Sequence, residues 1–168
     1  MSVARDEFRA FFGSFPTAVS IVTTVDTDGA PRGFTCSAVT SVSMDPPLLL
    51  VCLDRSARSL APLLSAGTFV VNVLADGAQD TARAFASRSE RKFTGVRWQP
   101  SAVAGGAPVL SDLVVGYAEC TVTRSLQAGD HWIVIGRVEG VAVFPRAPVL
   151  HQRGVFGVWP GELAASRG

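Results

Sequence analysis

The chain has 168 residues, of which 48% are hydrophobic and 17% are charged, and its formal net charge is +1. This length is typical of a single domain, here residues 1–168, that buries a core without disulfide bonds. The near-neutral charge argues against a nucleic-acid partner, and the apolar runs are too short to cross a membrane. The three cysteines are odd in number and widely spaced, which predicts free thiols, no metal site and a cytoplasmic location.

Apolar periodicity and turn residues divide the chain into short elements. An amphipathic helix is predicted over 6–12, with phenylalanines that we expect to pack in the core or in a dimer interface. Further helices are predicted over 59–65 and 79–87, and a charged loop, 88–97, follows. The predicted strands are 18–25, 32–38, 41–44, 48–53, 69–74, 114–126, 131–144, 149–152 and 155–159.

The strands predict an antiparallel, mainly β fold. Tight turns at 26–29 and 127–130 join consecutive strands, and Gly29 in the first turn is free to take a positive φ. About eight to ten strands with two or three short helices favour a closed barrel. The sequence shows no βαβ period and no G-x-G-x-x-G motif, so a Rossmann domain is not expected.

Three stretches place polar groups where a simple core would not. Residues 35–37 with Ser41 and Ser43 fit ordinary strand chemistry or a surface for a flat ligand. In residues 54–59, which include Arg55 and Arg58, Ser56 could cap a helix or donate to a phosphate at the helix start. The turn 129–131 ends in a histidine that could be solvated or could contact a ligand. No carboxylate pair or histidine-based triad stands out, which favours a site where a cofactor carries the chemistry.

Several short motifs follow one another in a characteristic order. They are G-F-T-C-S-A (33–38), S-V-S-M-D-P-P-L (41–48), C-L-D-R-S-A-R-S (52–59), F-V-V-N-V-L (69–74), R-K-F (91–93), G-D-H-W (129–132) and H-Q-R-G-V-F (151–156). In this order they resemble the short-chain NAD(P)H:flavin reductases, the reductase components of two-component flavin-dependent monooxygenases. The resemblance implies the FMN-binding split barrel, a Greek-key β-barrel that forms a homodimer with flavin near the interface.

The resemblance also assigns site residues. Those implied to contact the isoalloxazine ring or to lie close behind it are Thr35, Cys36, Ser37, Ala38, Ser41 and Ser43. Those implied to follow the ribityl chain and the phosphate are Cys52, Leu53, Asp54, Arg55, Ser56 and Ser59. Those implied to close over the flavin or to meet the nicotinamide nucleotide are Lys92, Phe93, His131, Arg153, Gly154 and Phe156. Gln152 and Ser59 depart from the family pattern, which has Arg and Thr at these positions.

The implied reaction is hydride transfer from nicotinamide C4 to flavin N5, with His131 orienting the nicotinamide. The implied cofactors are FMN or FAD and NADH, with NADPH possible because Arg55 and Arg58 each fit a flavin phosphate or a 2′-phosphate. Reduced flavin would pass to a separate flavin-dependent monooxygenase. Three alternatives stay open: a split barrel with a fixed flavin, a flavin-binding module without turnover, and a β-barrel that binds no flavin.

Overall fold

A computed structural model of the protein describes residues 2–159. The two ends of the predicted domain, residue 1 and residues 160–168, lie outside the described residues. Across 2–159 there is no helix with the length and apolar character that a membrane crossing requires.

The described residues form three α-helices, twelve strands and one short 3₁₀ turn. The helices are α1 (Arg5–Gly13), α2 (Leu60–Ala66) and α3 (Gln79–Ala86), and the 3₁₀ turn is Ser111–Leu113. The first six strands are β1 (Thr17–Ala18), β2 (Ser20–Val25), β3 (Pro31–Cys36), β4 (Val39–Met44), β5 (Pro47–Asp54) and β6 (Thr68–Leu74). The others are β7 (Gln99–Pro100), β8 (Pro108–Val109), β9 (Val114–Ala128), β10 (His131–Val143), β11 (Val149–Gln152) and β12 (Val155–Val158).

A seven-stranded antiparallel sheet dominates the fold, in the order β3-β2-β6-β9-β10-β5-β4. Its two outer strands, β3 and β4, are joined only by Ser37 and Ala38, and the Cys52 amide donates to the Ala38 carbonyl over 3.1 Å. The sheet therefore curls until its edges approach. Smaller sheets, β1-β11-β12 and β7-β8, lie beside it. The prediction of a mainly β, antiparallel split barrel is confirmed.

Strand β2 is the centre of the packing because both of its faces are buried. Successive strand residues point to opposite faces, so Val22 joins a core with Leu63 of α2 while Ile21 joins a second core with Phe85 of α3. Each such fully buried side chain contributes about 1.5–3 kcal/mol to folding. The β-branched run that predicted this strand thus holds α2 and α3 on opposite sides of the sheet.

The structure differs from the sequence-based prediction in three places. The predicted strand 18–25 is two strands, because Thr17 and Ala18 pair with β11 while β2 pairs within the large sheet. The short strands β7 and β8 were not predicted. Ser56 does not cap α2: the residue before the helix is Ser59, and its hydroxyl donates to the Gly33 carbonyl over 3.4 Å.

The phenylalanines of α1, and Phe15 just after it, are exposed. Phe8, Phe11, Phe12 and Phe15 are 47–59% accessible and contact one another, with neighbouring ring centroids 4.6–5.8 Å apart. The expectation that they pack in the core of the chain is wrong. Packing in a dimer interface stays a prediction.

Candidate active site

A cavity of about 880 Å³ opens where the ends of β3, β5 and α3 meet the starts of α2 and β10. This volume falls within the usual range of about 300–1,000 Å³ for small-molecule and cofactor sites. Most of the site residues named from the sequence line it: Thr35, Cys36, Ser37, Ala38, Cys52, Leu53, Asp54, Ser56, Ser59, Lys92 and His131. The fold therefore gathers residues that are up to 96 positions apart between Thr35 and His131.

Other residues named from the sequence lie elsewhere. Ser41 and Ser43 line a second, more apolar cavity of about 550 Å³, which shares Ser37 with the first. The Phe93 ring packs against Phe85, with centroids 4.8 Å apart, and lines a small recess beside the main cavity. Arg55 does not line the main cavity, although its backbone amide anchors the neighbouring turn.

The C-terminal hairpin lies away from the main cavity. Arg153 and Gly154 form the turn between β11 and β12, and both have a positive φ. The Phe156 ring packs beneath the Arg83 guanidinium, 4.9 Å from its centroid, and beside His151. Within one chain, the hairpin residues predicted to shape the NAD(P)H pocket do not line the main cavity.

Strand register places His131 beside Asp54, because the two residues are direct partners where β10 pairs with β5. His131 Nδ1 lies 2.7 Å from the Asp130 carboxylate, and the Arg55 amide donates to the Asp130 carbonyl over 3.0 Å. The turn that carries His131 is thus tied to the end of β5. Its first residue, Gly129, has φ +63°, which favours glycine at this position.

Asp54 and Ser56 form a tight polar turn at the mouth of the cavity. One Asp54 carboxylate oxygen accepts hydrogen bonds from the Ser56 hydroxyl and the Ser56 amide, each over 2.6 Å. These bonds hold the pKa of Asp54 below its usual value, so the carboxylate is ionised at neutral pH. The Ser56 hydroxyl must rotate away from Asp54 before it can donate to a ligand.

Segment 35–38 offers the cavity small side chains and backbone rather than free polar groups. The Thr35 hydroxyl donates to the Ala82 carbonyl over 2.6 Å. The Cys36 thiol is buried 3.4 Å from the Cys52 carbonyl, and burial raises its pKa to about 11. Cys36 is therefore a neutral thiol at neutral pH and is not suited to act as a nucleophile.

Lys92 fastens α3 to β3 at the side of the cavity. Its ammonium group donates to the Phe85 carbonyl over 2.8 Å and to the Gly33 carbonyl over 3.1 Å. Partial burial and the nearby positive charge of Arg58 lower the pKa of Lys92. Gly33 allows this approach because a Cβ there would lie only 2.8 Å from the Phe85 ring.

Arg58 and Arg88 both line the cavity. The sequence offered Arg58 as a possible phosphate contact, whereas Arg88 was not named as a site residue. Arg58 donates to the Arg88 carbonyl and pairs with Glu90. The predicted charged loop 88–97 was the available signal for Arg88, although the contact of this loop with Arg58 depends on the tertiary fold. Together with Lys92, these arginines give the rim a positive charge that suits a phosphate.

The lining combines a largely apolar wall, with Phe34, Ala38 and Leu53, and this cationic rim. Such a site fits a ligand with a planar ring at one end and a phosphate at the other. FMN and FAD have this chemistry, so the donor set fits a flavin.

Comparison with known proteins gives consistent matches. Residues 12–160 match the family described as flavin reductase like domain. The chain is 48% identical over 164 residues to a flavin reductase (NADH) of Kitasatospora aureofaciens, which covers 95% of this chain and 84% of that protein. It is 38% identical over 157 residues to HsaB, the reductase subunit of a flavin-dependent monooxygenase of Rhodococcus jostii, covering 92% and 78%.

A solved structure is also similar over nearly the whole chain. The NADH:FAD oxidoreductase SgcE6 of Streptomyces globisporus, solved in complex with NAD and FAD fragments, matches with a TM-score of 0.87 and 35% sequence identity. The match covers 95% of this chain and 94% of SgcE6.

Proposed function

This chain belongs to the flavin reductase like domain family, and from that premise we propose that it is an NAD(P)H:flavin reductase acting with a flavin-dependent monooxygenase. It reduces FMN or FAD by hydride transfer from NADH or NADPH and releases the reduced flavin to the monooxygenase. The observation that carries the proposal is the convergence of 35–38, 52–59, Lys92 and His131 on one cofactor-sized cavity.

The cavity would bind the two ends of the flavin at different places: the ring at the apolar wall and the phosphate at the cationic rim. Segment 36–38 and Leu53 would receive the ring, because their side chains are small or apolar. Ser56, Arg58 and Lys92 would hold the phosphate, since they supply a hydroxyl and two cationic groups at the rim. Bound flavin supplies the redox chemistry by accepting a hydride from the nicotinamide.

His131 would orient the nicotinamide amide. Its backbone is fixed by pairing with β5, and its ring is held against Asp130. An anchored side chain of this kind lowers the entropy lost when two reactants are aligned, which is a major source of rate in bimolecular reactions. The role requires no proton transfer by His131.

The proposed assembly is a cytoplasmic homodimer of a single domain, 1–168. Met44, Val141 and Val143 are 67–92% accessible on β4 and β10, the strands that flank β5, and Val141 lines the second cavity. Extensive exposed apolar surface is typical of an interface. Val141→Glu with Val143→Glu is expected to give a monomer in light scattering, and a persistent dimer would contradict this interface. The free thiols suit the reducing cytoplasm.

The test of the proposed activity is NADH oxidation by the purified protein in air, without flavin and then with FMN or FAD. Oxidation that requires added flavin and saturates with it would support a reductase that uses flavin as an exchangeable substrate. Tightly bound yellow flavin that survives gel filtration would favour the fixed-flavin alternative. Flavin binding with no oxidation of NADH or NADPH would favour the binding module and would refute the proposal.

A further inference from the structure

A chain of four alternating charges runs along the outer edge of the main cavity. Asp26 accepts hydrogen bonds from Arg32 Nε over 3.0 Å and from Arg32 Nη2 over 2.7 Å. The remaining Arg32 nitrogen, Nη1, lies 3.7 Å from one carboxylate oxygen of Glu90. The other Glu90 oxygen pairs with Nη1 of Arg58. Glu90 therefore bridges an arginine that lines the cavity and an arginine that does not.

Arg58 already has partners for both of its terminal nitrogens. Glu90 engages Nη1 and the Arg88 carbonyl accepts from Nη2. A guanidinium binds a phosphate best through two parallel N–H donors, and these are the groups that Glu90 and Arg88 occupy. A phosphate that binds through both terminal nitrogens of Arg58 therefore competes with Glu90 at Nη1 and with the Arg88 carbonyl at Nη2.

The displacement is feasible because the ion pair is exposed. The Arg58 and Glu90 side chains are 55% and 69% accessible, and ion pairs at such positions are weak. A displaced Glu90 would still have Arg32 as a partner. It and Arg32 flank a recess of about 40 Å³ next to the main cavity, so the carboxylate can keep its contact with Arg32 after Arg58 turns to the ligand.

Resting on the function proposed above, we propose that Glu90 competes with the flavin phosphate for Arg58 and so sets the affinity for phosphate-bearing flavins. Glu90 acts as an internal substitute for the ligand's anion. It neutralises Arg58 in the free protein and weakens flavin binding, which suits a ligand that must leave after reduction. Riboflavin, which has the same ring but no phosphate, does not need Arg58 and escapes the competition.

The test is an equilibrium titration of FMN and of riboflavin, followed by flavin fluorescence, with the wild type and Glu90→Gln. The variant keeps the size of the side chain and removes its charge. Because an exposed ion pair is weak, removing the Glu90 charge should raise the affinity for FMN only about two- to fivefold. The affinity for riboflavin should not change. Glu90→Ser, which removes the carboxylate in a different way, should give the same selective gain.

Two controls separate competition from a general charge effect. Asp112→Asn makes the same change of charge at an exposed carboxylate that pairs with Arg97, 3.4 Å away and outside the main cavity, and should leave both affinities unchanged. In an Arg58→Gln background, Glu90→Gln should no longer improve FMN binding, because the competition needs both partners.

The outcomes distinguish this inference from the proposed function. Unchanged or weaker FMN binding in Glu90→Gln, or an equal gain for riboflavin, would overturn the inference while flavin-dependent NADH oxidation by the wild type stood. A wild type that binds neither FMN nor riboflavin would refute the proposed function, and the inference with it.

Discussion

Gly33→Ala tests the contact on which the shape of the cavity depends. A Cβ at this position would lie 2.8 Å and 3.1 Å from two carbons of the Phe85 ring and 3.3 Å from the Val22 carbonyl. Phe85 is fully buried and its ring is packed against Phe93, so it has little freedom to move away. Overpacking of this kind costs about 1–3 kcal/mol of unfolding free energy. We expect about 2 kcal/mol, which lowers Tm by about 4–8 °C at this chain length.

The same substitution should weaken FMN binding, because the Gly33 carbonyl accepts hydrogen bonds from Lys92 and Ser59, which both line the cavity. Urea unfolding measures the stability change and fluorescence titration measures the FMN affinity. Gly157→Ala is the matched control: it is also a strand glycine, and a Cβ there would meet no atom within 4 Å. It should leave both quantities nearly unchanged.

A second substitution identifies the cause. Phe85→Leu removes the ring carbons that a Cβ at Gly33 would meet, so combining it with Gly33→Ala should cost about 1 kcal/mol less than the sum of the single changes. Strict additivity, or a loss of stability no greater than that of Gly157→Ala, would refute this account of the contact between β3 and α3.

Three further predictions concern individual side chains. His131→Ala should raise the KM for NADH about tenfold, equivalent to about 1.4 kcal/mol, with little change in FMN affinity, and unchanged NADH kinetics would remove its role. Asn72→Leu should lower the unfolding free energy by about 1–3 kcal/mol in urea titrations, because the buried Leu110 amide loses its acceptor at 2.9 Å; an unchanged value would contradict this. The native Cys36 thiol should resist iodoacetamide at pH 8, and its alkylation rate should rise with pH toward its pKa of about 11, since only the thiolate reacts. Alkylation at pH 8 as fast as that of the urea-unfolded chain would show that burial does not protect it.

Local signals in the sequence were enough to predict most of the strands and their turns. The β-branched run at 21–25 predicted β2, and Gly29 and Gly129 marked the turns, where both have a positive φ. The division of the predicted strand 18–25 into β1 and β2 could not be predicted from neighbouring residues. It depends on Thr17 pairing with His151, which is 134 positions away.

Only part of the candidate site could be predicted from the sequence. Motif resemblance named Asp54 and His131, but their adjacency follows from the register of β10 against β5, which no spacing in the chain reveals. The pairing of Arg58 with Glu90 likewise joins two loops that are distant in sequence. Local pattern offers the candidate groups, whereas their partners are fixed by sheet order and by the packing of α3 against β3.

The most direct test of the central claim is anaerobic mixing of the protein with one equivalent of FMN and an excess of NADH, followed by the loss of the oxidised-flavin absorbance. Without oxygen, the signal reports hydride transfer to the flavin alone. The account predicts rapid and complete bleaching with the wild type and slower bleaching at limiting NADH with His131→Ala. Flavin that binds in the cavity and stays oxidised, with NADPH as well as with NADH, would contradict the assignment of this chain as a flavin reductase.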